Sequence, residues 1–134
     1  MADAAENHGP TPTGTWTRRI SFLLSALPAA MLVMSAGMKL SGNRQAMEQA
    51  SSQLGWPPTV MLALGLVELG CTVIYLVPRT SVLGAVLLTG YLGGAVATHV
   101  RVGDPFIAPL AVGVVVWLAL WLREPRLKAL LPLR

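Results

Sequence analysis

Glu68 stands inside an apolar run from Pro58 to Val77 that holds no other charged residue. It lies ten residues from one end and nine from the other, about 15 Å from each at helical rise. An ionisable group at that depth in lipid costs several kcal/mol, so it marks a candidate site. Successive steps of three and four residues along the same helix face carry Met61, Gly65, Thr72 and Tyr75. Polar and small groups share that stripe, which predicts that it faces other helices rather than lipid.

Other polar residues gather around the same level. Lys39 ends the first apolar tract and His99 ends the third. By rise alone each lies on the order of 10 Å from Glu68, too far for direct contact. Side chains tilt toward their own helix N-terminus, and this narrows the gap for all three residues. Tyr91 lies ten residues into the third tract and is the best direct partner of Glu68 by level. Ser35 sits one turn before Lys39, and Arg101 and Asp104 could close the outer end of the group.

Two chemistries suit these residues. Glu68, Lys39, His99, Tyr91, Ser35, Arg101 and Asp104 can make the polar contacts of a pocket for a small hydrophobic molecule. Alternatively Glu68, His99 and Lys39 can be catalytic, moving protons in isomerisation, cyclisation or epoxide opening of a lipophilic substrate. Plainer roles stand beside both. Lys39 can snorkel, His99 can cap a loop, Tyr91 can pack, and Glu68 can clamp helices through a protonated carboxyl. The stripe Met31, Met34 and Met38 reads as packing rather than a copper site, and Cys71 in apolar surroundings reads as inert.

The elements that must position these residues follow from charge-free tracts. The 134 residues are 54% hydrophobic and 12% charged, about half the charge of a soluble domain. Tracts at Ile20–Met38, Pro58–Val77, Ser81–Val100 and Pro105–Leu122 approach the ~20 residues a membrane helix needs. The expected fold is therefore all-α, an integral membrane four-helix bundle with spans at about 20–40, 58–77, 81–100 and 105–122. These four spans form one membrane domain over residues 18–122. A short amphipathic surface helix, Arg44–Ala50, is expected between the first two spans, with Asn43 as its cap. Pro78-Arg79-Thr80 reads as a tight turn, and Asp104-Pro105 as the start of the last helix.

Residues 1–17 read as a flexible tail and 123–134 as a basic one. Seven basic residues fall on one side and three on the other, which predicts both termini in the cytoplasm. Gly90, Gly94 and Thr98, with Gly93 and Ala97, read as close-packing points between helices, as do Gly65, Gly70 and Gly113. Gly90 and Gly94 alternatively suit a homo-oligomer. One cysteine excludes an internal disulfide or a cysteine-based zinc site, and no histidine pair has metal-ligand spacing, so no metal is expected. Beyond the charge of +4, nothing supports nucleic-acid binding.

Several short motifs recur in order: Gly37-Met38-Lys39-Leu40-Ser41-Gly42, Leu54-Gly55-Trp56-Pro57, and Leu64-Gly65-Leu66-Val67-Glu68 with Pro78. Gly94-Ala95-Val96-Ala97-Thr98-His99 and Gly103-Asp104 follow. Together, from about Ala29 to Trp121, they resemble the DoxX-like family of small four-helix membrane proteins. The resemblance implies a bundle in a bacterial inner membrane, with Lys39, Glu68 and His99 at the family's recurring polar positions. It also implies a link to quinone-dependent membrane oxidoreductases. The expected function is binding of a quinone or lipid-like molecule within the bundle, as helper of such an oxidoreductase. The rival is the acid–base enzyme described above. The expected partners are the lipid bilayer and that small hydrophobic molecule, and quinone is the one cofactor implied.

Overall fold

The computed structural model describes residues 13–124 and Leu127. Within them the chain forms five α-helices and no strand. These are α1 (Thr13–Leu40), α2 (Arg44–Leu54), α3 (Pro58–Leu76), α4 (Ser81–Val102) and α5 (Ile107–Arg123). Most of the two expected tails lies outside the described residues. Residues 13–17, expected as tail, are instead the first turn of α1.

Leu23–Leu40 of α1, together with α3 and α4, is long and apolar enough to cross a bilayer, while α5 is apolar but only 17 residues long. Their outward faces carry exposed Leu23, Leu27, Val67, Leu83, Ile107 and Val114. Apolar surface this continuous is not tolerated in water. A helix that is apolar all round needs neighbours or lipid on every side.

The long helices pack as a ring. The α1 helix touches α3 and α5, α4 touches the same two, and α2 lies across one end against α1, α3 and α4. The polarity of α2 explains its place. Its one apolar stripe suits a helix lying over the end of the ring, as the amphipathic reading expected, although it runs four residues beyond Ala50. Positive φ at Gly42 and Gly55 lets the chain turn sharply on either side of it.

Pro57 and Pro58 start α3, where a missing N–H costs nothing. The Pro78–Thr80 turn is held by Thr80 Oγ1, which donates to the Ile74 carbonyl at 2.8 Å. The start of the last helix differs from expectation: α5 begins at Ile107 after Phe106, not at Asp104-Pro105. Asp104 is committed elsewhere. Its backbone N–H donates to the His99 carbonyl at 2.9 Å and, with Gly103 at φ 75°, closes the end of α4.

The core lies toward the α3–α4 turn. Leu32, Tyr75, Ala85, Leu88, Val116 and Leu120 are buried there, with Tyr91, Val112, Trp117 and Trp121 packed on them. The Tyr75 hydroxyl donates to the Val116 carbonyl and lies within hydrogen-bond distance of Ser25 Oγ, joining α1, α3 and α5. Arg123 stacks on the Tyr75 ring and donates to its carbonyl.

Two glycines permit the tightest crossings. A Cβ on Gly84 would fall 2.3 Å from the Tyr75 backbone, and one on Gly65 would fall 2.9 Å from Lys39 Cβ. Gly65 was expected as a packing point; Gly84 was not. Gly70, Gly90, Gly93 and Gly94 face open space and make no such helix contact. Their smallness has another consequence, at the opposite end of the ring.

Candidate functional site

The close approach at Gly65 brings the Lys39 stem against α3 three residues before Glu68. Lys39 Nζ then reaches Glu68 Oε2 at 2.7 Å, a direct ion pair. The rise count alone had kept the two apart, and the side-chain tilt expected to narrow that gap closes it. The rise count compared backbone levels, whereas a four-carbon stem aimed down α1 and a carboxylate aimed up α3 meet between them.

Three partners surround the ammonium. Besides Glu68, it donates to Ser35 Oγ at 2.8 Å and to the Tyr91 hydroxyl at 3.4 Å. Ser35 in turn donates to Glu68 Oε2 at 3.3 Å. Thus Ser35 and Lys39 from α1, Glu68 from α3 and Tyr91 from α4 form one network. Glu68 is 3% exposed at its side chain and Lys39 17%, so the acid lies behind the base. Tyr91, expected as the best direct hydrogen-bond partner of Glu68, engages both members of the pair: its hydroxyl hydrogen-bonds to the Glu68 carboxylate and accepts from Lys39.

The Met61, Gly65, Thr72 and Tyr75 stripe of α3 is buried with Glu68, as its spacing predicted. A buried ion pair in lipid compensates its desolvation only when geometry is short and remaining groups are bonded. Here three helices supply those bonds.

The network borders open space. A cavity of about 370 Å³ runs between α3 and α4 under the end of α2, with Lys39, Trp56, Met61, Tyr91, Gly94 and His99 among its lining residues. A second, of about 280 Å³, lies under α2 beside α1 and shares Lys39, Leu54, Met61 and His99 with the first. Glu68 lines neither. Gly90, Gly94, Ala95 and Thr98 make the α4 wall, so small residues that read as helix contacts instead leave room beside α3.

His99 joins both cavity walls but does not bond to Glu68 or Lys39. Its Nδ1 lies 2.8 Å from the Ala95 carbonyl, which can only accept. Nδ1 therefore carries a proton and donates it to that carbonyl. Arg101 lies at the α2 end of the ring. It donates to the Leu54 carbonyl at 2.6 Å and lies 5.1 Å over the Trp56 ring, tying α2 to α4. Ser51 donates to the Trp56 carbonyl beside it. Asp104 contributes its backbone N–H to the end of α4, and its side chain makes no hydrogen bond among the described residues.

Sequence reasoning missed Trp56 as a lining residue, because a tryptophan near a helix end reads as an interface anchor. It missed the α4 glycines as well, for the reason given above. Among the described residues no group of three or more His, Cys, Asp or Glu could hold a metal ion.

Lys39, Tyr91 and His99 thus place polar atoms at the wall of a mostly apolar cavity, with Glu68 behind Lys39. Compared with known proteins, the chain matches the model of the DoxX-like family over residues 23–122, which spans the network, both cavities and the ring. No curated protein and no solved structure matches it.

Proposed function

The chain belongs to the DoxX-like family and is a membrane protein with apolar helices; on that premise we propose that it binds a small hydrophobic molecule, quinone-like or lipid-like, between its helices. The observation that carries this reading is the 370 Å³ cavity between α3 and α4, mostly apolar, with Lys39, Tyr91 and His99 at its wall. Ligand sites have this form and begin at about 300 Å³. Ser35 and Glu68 hold Lys39 in place, and Arg101 holds Trp56 over the outer end.

In this reading four helices span the membrane, at about 20–40, 58–77, 81–100 and 105–122. The 17 residues of α5 lie at the short limit for a span. The membrane is the bacterial inner membrane, both termini are cytoplasmic, and the cavities open toward the outer leaflet. The protein then serves as helper of a membrane oxidoreductase that shares the bound molecule. An acid–base enzyme has weaker support, because Glu68 lies behind Lys39 and lines neither cavity.

The test is purification in mild detergent followed by native mass spectrometry. Wild-type protein is expected to carry, or to take up, one quinone-sized molecule per chain. Gly94→Leu, which projects a side chain into the cavity where a Cβ meets nothing within 4 Å, is expected to lose it while remaining folded. A wild-type protein that stays empty with added quinone removes the proposal.

A further inference from the structure

From the way the ion pair is placed, we infer that the cavity selects neutral, carbonyl-bearing lipophiles and rejects anionic ones such as fatty acids. This rests on the proposed pocket and names its ligand class. An ammonium has three hydrogens, and Lys39 directs them at Glu68 (2.7 Å), Ser35 (2.8 Å) and Tyr91 (3.4 Å). Two bonds are short. The third is long, and its acceptor is the residue that lines the cavity with Lys39. A ligand oxygen entering there takes the third N–H, beside the Tyr91 hydroxyl.

Charge decides which oxygen. Glu68, almost wholly shielded, already balances Lys39. A neutral carbonyl adds no charge to this pair. A carboxylate would put a second negative charge next to Glu68 with one lysine between them, in surroundings where like charges repel far more strongly than in water. The other cation at the cavity's end, Arg101, is engaged by the Leu54 carbonyl and the Trp56 ring. His99 commits its Nδ1–H to the Ala95 carbonyl. Glu68 thus acts as a specificity residue through Lys39, without touching the ligand.

The experiment compares 2-decyl-1,4-benzoquinone with 4-decylbenzoate by equilibrium binding to protein in phosphatidylcholine nanodiscs. Wild type is expected to bind the quinone at least tenfold more tightly, after correction for partition into empty nanodiscs. Glu68→Gln leaves Lys39 without its counterion, and benzoate binding is expected to tighten at least tenfold. If that variant does not fold, the Lys39→Gln/Glu68→Gln pair, neutral throughout, is expected to keep the preference for quinone. Benzoate binding wild type as tightly as quinone overturns the inference and leaves the pocket standing. So does benzoate affinity unchanged in Glu68→Gln, or tight benzoate binding to the double variant. Binding of neither probe overturns both the inference and the pocket.

Discussion

Lys39 and Glu68 stabilise the fold as a pair, and each alone is a liability. Removing one partner of a buried ion pair leaves the other charge uncompensated, at a cost of about 3–5 kcal/mol. Replacing both with apolar residues removes that debt. Lys39→Met is therefore expected to lower the unfolding temperature in detergent sharply, while Lys39→Met/Glu68→Met recovers most of the loss. If the single variant is as stable as wild type, the 2.7 Å contact does not hold the helices together. The presence of Glu68 at mid-tract was legible from the chain, as was the stripe it shares. Its partner was not, because side-chain reach between antiparallel helices depends on their lateral offset. That offset is set by the Gly65 crossing.

At the scale of elements, glycines with one chemical identity have opposite roles. Gly84 and Gly90 lie six residues apart on α4, yet a Cβ on the first strikes the Tyr75 backbone and a Cβ on the second meets nothing. Gly84→Ala is expected to destabilise by about 1–3 kcal/mol, because backbone cannot move aside as a side-chain tip can. Gly90→Ala is expected to leave stability unchanged or raise it, since alanine favours helix over glycine. Thermal unfolding of the two variants side by side checks both. Equal destabilisation would mean that α4 packs along its whole length and the cavity is absent. Spacing of small residues on one helix shows that something approaches closely or something is left open. Only the position of α3 distinguishes the two.

The whole molecule is divided across the membrane direction. Toward the α3–α4 turn it is solid, built on Tyr75, Leu88 and Leu120. Toward α2 it is hollow, and the ion pair and both cavities lie there. The excess of basic residues on the side of the turn and termini sets the proposed orientation, with α2 outside. Ser52, exposed on α2, and Thr80, exposed in the turn, lie at opposite ends, while the native Cys71 is buried. Ser52→Cys is expected to react with a membrane-impermeant maleimide in intact cells, and Thr80→Cys only after the membrane is opened. The reverse pattern would put the cavities at the cytoplasmic leaflet.

The sequence by itself determined the solvent, the helices and the residues that violate that solvent. Continuous apolar tracts require satisfied backbone in lipid, which leaves helices as the economical answer, and an acid at the centre of one must face inward. Tertiary structure alone decided that Glu68 meets Lys39, that Glu68 stands behind the cavity wall rather than in it, and that Gly90 and Gly94 hold space open. It also decided that Asp104 ends α4 instead of starting α5. The physical reason is common to all of them. Hydropathy and periodicity act along one helix, whereas contact and emptiness depend on where the next helix lies.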